Sequence, residues 1–197
     1  MSKQEGHFTK GRLEAFSDGV IAVIITIMVL DLKAPDNDRL SDLLRLWPSF
    51  VSYLISFVFG AGYWINHHNA IVLARRVTPG LIWTNNLLLF CLSLFPFATA
   101  YMAATGMSPL ATMCYGAVQL ACAIAFAILW ALVAGQRKDD PVFHAWQKAA
   151  ARKNSVAQAL YVLAIPAAYF SPIVAIAIFL GIAVIYAVPS RFDFPGE

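Results

Sequence analysis

Between Arg76 and Arg137 the chain runs for 60 residues, Val77 to Gln136, without a single Asp, Glu, Lys or Arg. A soluble fold cannot hide so long an apolar stretch, and a bilayer can, because one crossing takes roughly 20 apolar residues as a helix. The run therefore reads as two helices and a turn, the turn supplied by Thr105, Gly106, Ser108 and Pro109. A second uncharged run of 37 residues, Asn154 to Ser190, divides at Ser171-Pro172. Charged residues make up 13% of the chain, against about 25% in soluble domains. The prediction is one all-α integral membrane domain over residues 1–197. Its six transmembrane helices are placed at about 13–32, 46–74, 79–103, 109–134, 154–170 and 173–189.

Several function classes drop out. Cys91, Cys114 and Cys122 all fall inside predicted spans and read as small core residues. There is no CxxC, HExxH, GxSxG or phosphate-binding glycine loop, so neither an enzyme, a cofactor nor a resident metal is expected. A cleaved signal peptide is a competing reading of the N-terminus, but Asp18 interrupts the apolar stretch and Leu32 and Ala34 form a poor cleavage pair.

Placing the N-terminus inside puts eleven basic residues on the cytosolic side: Lys3, Lys10, Arg12, Arg75, Arg76, Arg137, Lys138, Lys148, Arg152, Lys153 and Arg191. Only Lys33, Arg39 and Arg45 lie outside. The expected location is the cell (inner) membrane, crossed several times with both termini cytosolic. The net charge of +3 follows from this layout and implies no nucleic-acid partner. Val142, Phe143, Trp146, Ala149 and Ala150 recur at helical spacing among basic residues, which suggests a helix lying on the cytosolic interface; a solvated connector is the other reading. The outer loop from Asp31 to Asp42 has a slight acidic excess, read as an ordinary wet loop.

The first helix differs from the rest, with only twelve uncharged residues, Gly19 to Leu30, between Asp18 and Asp31. An ionisable residue at membrane depth belongs against protein or a water-filled path, so this helix should sit within an assembly. At about 100° per residue, Phe16, Gly19, Val23, Ile27 and Leu30 fall on one stripe, with Ser17 and Asp18 turned away from it. Asp18, His67, His68, Asn85 and Asn86 lie at similar depth on three helices. The expectation is a buried polar network among them, shared by Ser17, acting as a structural latch or as a proton relay.

Arg12, Phe16, Ser17 and Asp18 spell R-x-x-x-F-S-D at the start of the first span. Together with Gly19-Val20-Ile21-Ala22, Thr26 to Leu30, and Trp64-Ile65-Asn66-His67-His68 on the second span, this resembles the transmembrane protein 175 potassium channels of lysosomes and bacteria. The resemblance covers the whole chain as one bacterial subunit. It implies a homotetramer of identical subunits in which helix 1 lines the pore and potassium ions are the passing partner. No T-V-G-Y-G filter is used in that family, and none occurs here. The family's constriction lies five residues after the motif Asp, which here is Val23, with Ile27 and Leu30 following on the same face. Family members commonly carry Ile or Leu there, so Val23 implies a wider neck. An apolar ring offers an ion no ligands and works by the cost of stripping its hydration shell, which favours potassium over sodium. Thr26, flanking the stripe with Gly19, either offers its hydroxyl to a hydrated ion or bonds the carbonyl of Ala22.

The leading functional expectation is a potassium-selective channel, with proton permeability as the lysosomal members imply. The main alternative is a proton-coupled secondary transporter using Asp18, His67 and His68, with Pro96 and Pro166 as candidate helix breaks. A third reading is an assembly subunit without transport.

Overall fold

The computed structural model describes residues 9–187; within that range the side chains of 142, 144–146, 149, 150 and 187 are left out of the description. The described chain is helical, joined by short turns and loops: α1 (Lys10–Ile27) with a 3₁₀ extension (Met28–Asp31), α2 (Leu40–Leu44), α3 (Trp47–Leu73), α4 (Pro79–Ser93), α5 (Phe95–Ala104), α6 (Pro109–Gly135), α7 (Pro141–Phe170) and α8 (Pro172–Ala187). Among the described residues four stretches are long and apolar enough to cross a membrane: Lys10–Asp31, Trp47–Leu73, Pro79–Ala104 and Pro109–Gly135, and Pro172–Tyr186 is a shorter apolar helix.

Local chemistry sets these boundaries. Proline occupies the first turn of α3 to α8, where its missing N–H costs nothing. Thr9, Thr78, Ser108 and Asp140 cap α1, α4, α6 and α7, each side chain accepting from a backbone N–H three residues on. α5 and α6 turn at Gly106 and Met107, both with positive φ, and the Met107 N–H donates to the Met102 carbonyl at 2.8 Å. Glycine carries the first of these at no steric cost; Met107 is held by burial of its side chain.

The structure departs from the sequence reading in three places. The span expected as one helix over 79–103 is two, α4 and α5, interrupted at Leu94. Pro96 lacks an N–H and its ring would clash with the carbonyl four residues back in a continuous helix. The first helix tightens to 3₁₀ from Met28. The helix expected before residue 154 forms but is not separate: α7 runs unbroken through that region and through Pro166. Phe143 is buried against Trp130, its ring under the Arg137 guanidinium at 5.6 Å, so it joins the bundle core. Val142, Trp146, Ala149 and Ala150 lie outside the described side chains.

α6 is the hub, packing on α4, α5, α7 and α8, while α1 packs on α3, α4 and α5. At the end of the bundle that carries Lys10, the loop after α3 is clamped from two sides. The Lys10 ammonium donates to the carbonyls of Val72 and Ala74, and Arg137 Nε donates to that of Leu73 at 2.7 Å. The Gln136 amide accepts from the N–H groups of Arg75 and Arg76 and donates to the Arg76 carbonyl. Carbonyls left over at a helix C-terminus are thereby satisfied by cations.

Two close approaches depend on glycine. A Cβ at Gly116 of α6 would lie 3.0 Å from both Ile165 Cγ1 and Phe179 Cζ, and one at Gly60 of α3 would lie 3.0 Å from Ile25 Cγ1 of α1. Gly116→Ala is expected to destabilise the bundle by about 1–3 kcal/mol, the usual cost of overpacking. Gly181→Ala, where nothing lies within 4 Å, should be neutral or slightly stabilising. Thermal unfolding of the purified protein in mild detergent checks the contrast.

Candidate functional site

Helix α1 has two faces of opposite character. Leu13, Ser17, Ile21, Ile24 and Met28 are buried and face the bundle. Their spacing of four and three residues is that of one helical stripe. On the other side Phe16, Gly19, Val23, Thr26, Ile27 and Leu30 are exposed on the single chain. Val23 is 54% accessible and Leu30 73%, while Ser17, Ile21 and Met28 on the packed face are at 2% or less. Gly19, Val23 and Ile27 line an open groove with Ser93 and Pro96, at the α4/α5 break. Leu13, Phe16 and Val20 line a second with Asn86, Leu89 and Phe90. Arg12 is exposed at the foot of the same side.

Because Leu30 lies in the 3₁₀ turn, the 100° wheel overstates its offset. In 3₁₀ geometry positions three apart eclipse, so Leu30 stands nearly above Ile27. Thr26 donates its hydroxyl hydrogen to the carbonyls of Ala22 at 2.9 Å and Val23 at 3.0 Å, which leaves its oxygen lone pairs available as acceptors.

The polar residues divide into one buried chain and two half-exposed rungs. In the buried chain His67 of α3, Asn85 of α4 and Ser17 of α1 are fully inaccessible. His67 Nε2 meets Asn85 Oδ1 at 2.7 Å, Asn85 Nδ2 donates to Ser17 Oγ at 2.9 Å, and Ser17 Oγ donates to the Leu13 carbonyl at 2.9 Å. With Asn85 so oriented, Nε2 carries the imidazole hydrogen. His67 Nδ1 is buried and has no hydrogen-bond partner among the described residues. This chain joins three helices through uncharged groups, which suits a low-dielectric interior better than a carboxylate would.

Asp18, His68 and Asn86, expected in that network, are not part of it. Asp18 Oδ1 accepts from Trp64 Nε1 at 3.0 Å on the half-exposed seam between α1 and α3. His68 Nδ1 lies 2.6 Å from Glu14 Oε1, and Asn86 lines the second groove. Glu14 and Asp18 are four residues apart on α1, as Trp64 and His68 are on α3, so the pairs form successive rungs between antiparallel helices. Ile25 against Gly60 is the next contact along the seam. Trp64 was read only as part of the motif ending in His67-His68 and Glu14 was given no role, although their i, i+4 relation to His68 and Asp18 was a usable signal.

A second buried polar cluster also escaped the sequence reading. Ser56 Oγ lies 2.7 Å from Thr99 Oγ1 and 3.0 Å from the Tyr115 hydroxyl, to which Gln119 Nε2 donates at 3.1 Å. It ties α3, α5 and α6 together beside Met28 of α1, whose sulfur faces Thr99 at 3.8 Å. Among the described residues no group of His, Cys, Asp and Glu is arranged to hold a metal ion.

The helices and the two-faced α1 define a multi-pass helical membrane protein that keeps an apolar face of its first helix outside its own core. Residues 12–96 match the family described as endosomal/lysosomal potassium channel TMEM175. A potassium channel from Chryseobacterium sp. (strain P1-3) is 37% identical over 186 residues, 93% of this chain and 95% of that one. The crystal structure of a lysosomal potassium-selective channel TMEM175 homolog from Chamaesiphon minutus superposes with a TM-score of 0.80 at 31% identity, covering 90% of this chain and 96% of that one. The human endosomal/lysosomal proton channel TMEM175 is 31% identical over 113 residues, 51% of this chain and 22% of that one. The chain belongs to the TMEM175 family, a family of ion channels and not of enzymes.

Removing one partner of a buried hydrogen-bond chain strands the others without water. Asn85→Ala is expected to cost about 1–3 kcal/mol of stability. Asp18→Asn keeps an acceptor for Trp64 on a seam that water reaches, and should stay within about 0.5 kcal/mol. Thermal unfolding of the two variants side by side measures both, and an equal loss would contradict the division between buried chain and rungs.

Proposed function

We propose that this chain is the subunit of a potassium-selective channel, assembled from four copies around a pore lined by α1. The carrying observation is the exposed apolar stripe Val23, Ile27 and Leu30, opposite a face of the same helix fully packed in its own bundle. The names of the Chryseobacterium relative and the Chamaesiphon homolog support potassium as the permeant ion. In this reading the apolar part of α7 and the short α8 complete six crossings of the cell membrane. At roughly 1.5 Å per residue α8 is the shortest of them. The end carrying Lys10, Arg75, Arg76, Arg137 and Lys138 faces the cytosol, as the bias of Lys and Arg requires.

Val23 forms the constriction, with Ile27 and Leu30 extending it and Gly19 and Thr26 at its flanks. These side chains present no ligand to a cation, so the barrier is the work of removing or distorting hydration in a narrow apolar neck. Potassium holds its water less tightly than sodium and passes more readily. The Thr26 oxygen, its hydrogen turned to the backbone, presents lone pairs to a hydrated ion beside the neck. Arg12 and Phe16 mark the cytosolic mouth. The chain from His67 through Asn85 to Ser17 acts as a latch that holds the rotation of α1, and so sets which residues face the axis.

Flux through proteoliposomes containing the purified protein tests this. Downhill potassium flux should exceed sodium flux and require no pH gradient. Val23→Phe should lower it by roughly tenfold or more, and Val23→Ser should raise flux while reducing selectivity, since a polar neck wets more easily. Flux that obligatorily follows protons would instead indicate a coupled transporter, and no flux under any gradient an assembly role. Native mass spectrometry in mild detergent should give four times the 21.6 kDa chain mass; monomers and dimers alone would refute the ring.

A further inference from the structure

α7 and α8 pack against each other on the flank of the bundle away from the face that α1 presents. Near the basic end of this pair lies an open groove of about 260 Å³ lined by Arg152, Lys153, Val156, Ala157 and Ile185. Two cations therefore stand at its mouth and three aliphatic side chains form its floor. Val156 lies one turn above Arg152, and Ala157 one turn above Lys153, so the change from basic to apolar follows the helix axis.

The surroundings make this a built site. Tyr186 of α8 donates its hydroxyl to Asn154 Oδ1 of α7 at 2.6 Å, which fixes the two helices at that level. The Lys153 ammonium sits over the Tyr186 ring at 4.8 Å. Among the described residues no salt bridge reaches Arg152 or Lys153. Burial pulls the pKa of Lys153 below the ordinary lysine value. A partly desolvated cation of this kind is restored by a neighbouring negative charge.

We propose that the α7/α8 groove binds the headgroup of an anionic phospholipid, its phosphate held between Arg152 and Lys153 and one acyl chain lying along Val156 and Ile185. The proposal rests on the membrane placement given above but not on the ion conducted. Charge complementarity selects the phosphate, and the apolar floor selects a lipid over a free anion, because inorganic phosphate would leave Val156 and Ile185 uncovered. Basic residues at the edge of a membrane helix attract anionic lipid in general. What this groove adds is two cations from one helix level and an adjoining aliphatic slot.

Native mass spectrometry of the full-length protein in mild detergent, titrated with phosphatidylglycerol or with phosphatidylcholine of the same acyl chains, tests it. Wild type should retain phosphatidylglycerol and not phosphatidylcholine, and millimolar inorganic phosphate should not displace it. The pair Arg152→Gln/Lys153→Gln should weaken retention by roughly 30-fold. Arg75→Gln/Arg76→Gln removes the same charge from the loop at the same end of the bundle and should change retention little. Val156→Trp, which fills the slot and keeps both cations, should also lose the lipid. Equal loss in the two charge-removing pairs would reduce the effect to generic attraction and overturn the proposal, as would phosphatidylglycerol retention unaltered in Arg152→Gln/Lys153→Gln. Displacement by inorganic phosphate would overturn the lipid assignment. An unchanged elution volume and thermal unfolding profile show that each variant is folded, and potassium flux in phosphatidylcholine liposomes separates this result from failure of the channel reading.

Discussion

The rotation of α1 about its own axis is the variable on which the structure turns, and a chain of hydrogen bonds between uncharged groups sets it. Ser17 is drawn inward because its hydroxyl has two uses at once, donating to the Leu13 carbonyl and accepting from Asn85. Asn85 in turn is held by His67. In a medium without water each of these groups has few alternatives, so rotating α1 away would strand three polar groups together. Leu13, Ile21, Ile24 and Met28 follow Ser17 into the core. Val23, Ile27 and Leu30 are left facing outward as the geometric complement.

Around that fixed rotation the other contacts act as a ladder. The carboxylates of Glu14 and Asp18 meet His68 and Trp64 on the seam between α1 and α3, and Gly60 lets Ile25 close the next level. Higher up, the hydroxyl cluster of Ser56, Thr99 and Tyr115 ties α5 to α3 and α6. α5 begins where Pro96 forces a new helix. The break is useful as well as forced: Ser93 and Pro96 line the groove that borders Gly19, Val23 and Ile27. Exposed ion pairs on such a seam contribute little individually; their role here is register.

Much of this was legible in the residues, and the failures have identifiable causes. Apolar length alone located the four described stretches long enough to cross a membrane, because hydrocarbon imposes a minimum span whatever the packing. The helical wheel found the two sides of α1, since its stripe is a matter of angle and needs no partner. The polar network was read by depth, and depth gives the level of a side chain without its direction. Asp18, His68 and Asn86 are level with His67 and Asn85 yet point elsewhere. Ser17, placed by the wheel away from the stripe, was the better guide to what lies inside. The helix read before Asn154 is there, but amphipathic spacing shows that one face is apolar and not whether lipid or protein covers it, and Phe143 is covered by Trp130 and Arg137.

The 3₁₀ turn at the end of α1 alters more than a boundary. An α-helix would carry Leu30 about 60° around the axis from Ile27 and roughly 4.5 Å along it, whereas 3₁₀ geometry keeps the two in line and separates them by roughly 6 Å. The outward ridge is therefore straight at its upper end where it would otherwise wind. Repeated around the proposed ring, Ile27 and Leu30 become a continuous vertical sleeve with no polar gap between staggered tiers. In the proposed pore an ion that leaves Val23 and the Thr26 oxygen beside it meets only apolar side chains along this sleeve, which makes the length of the dry segment, as much as its width, depend on the 3₁₀ turn.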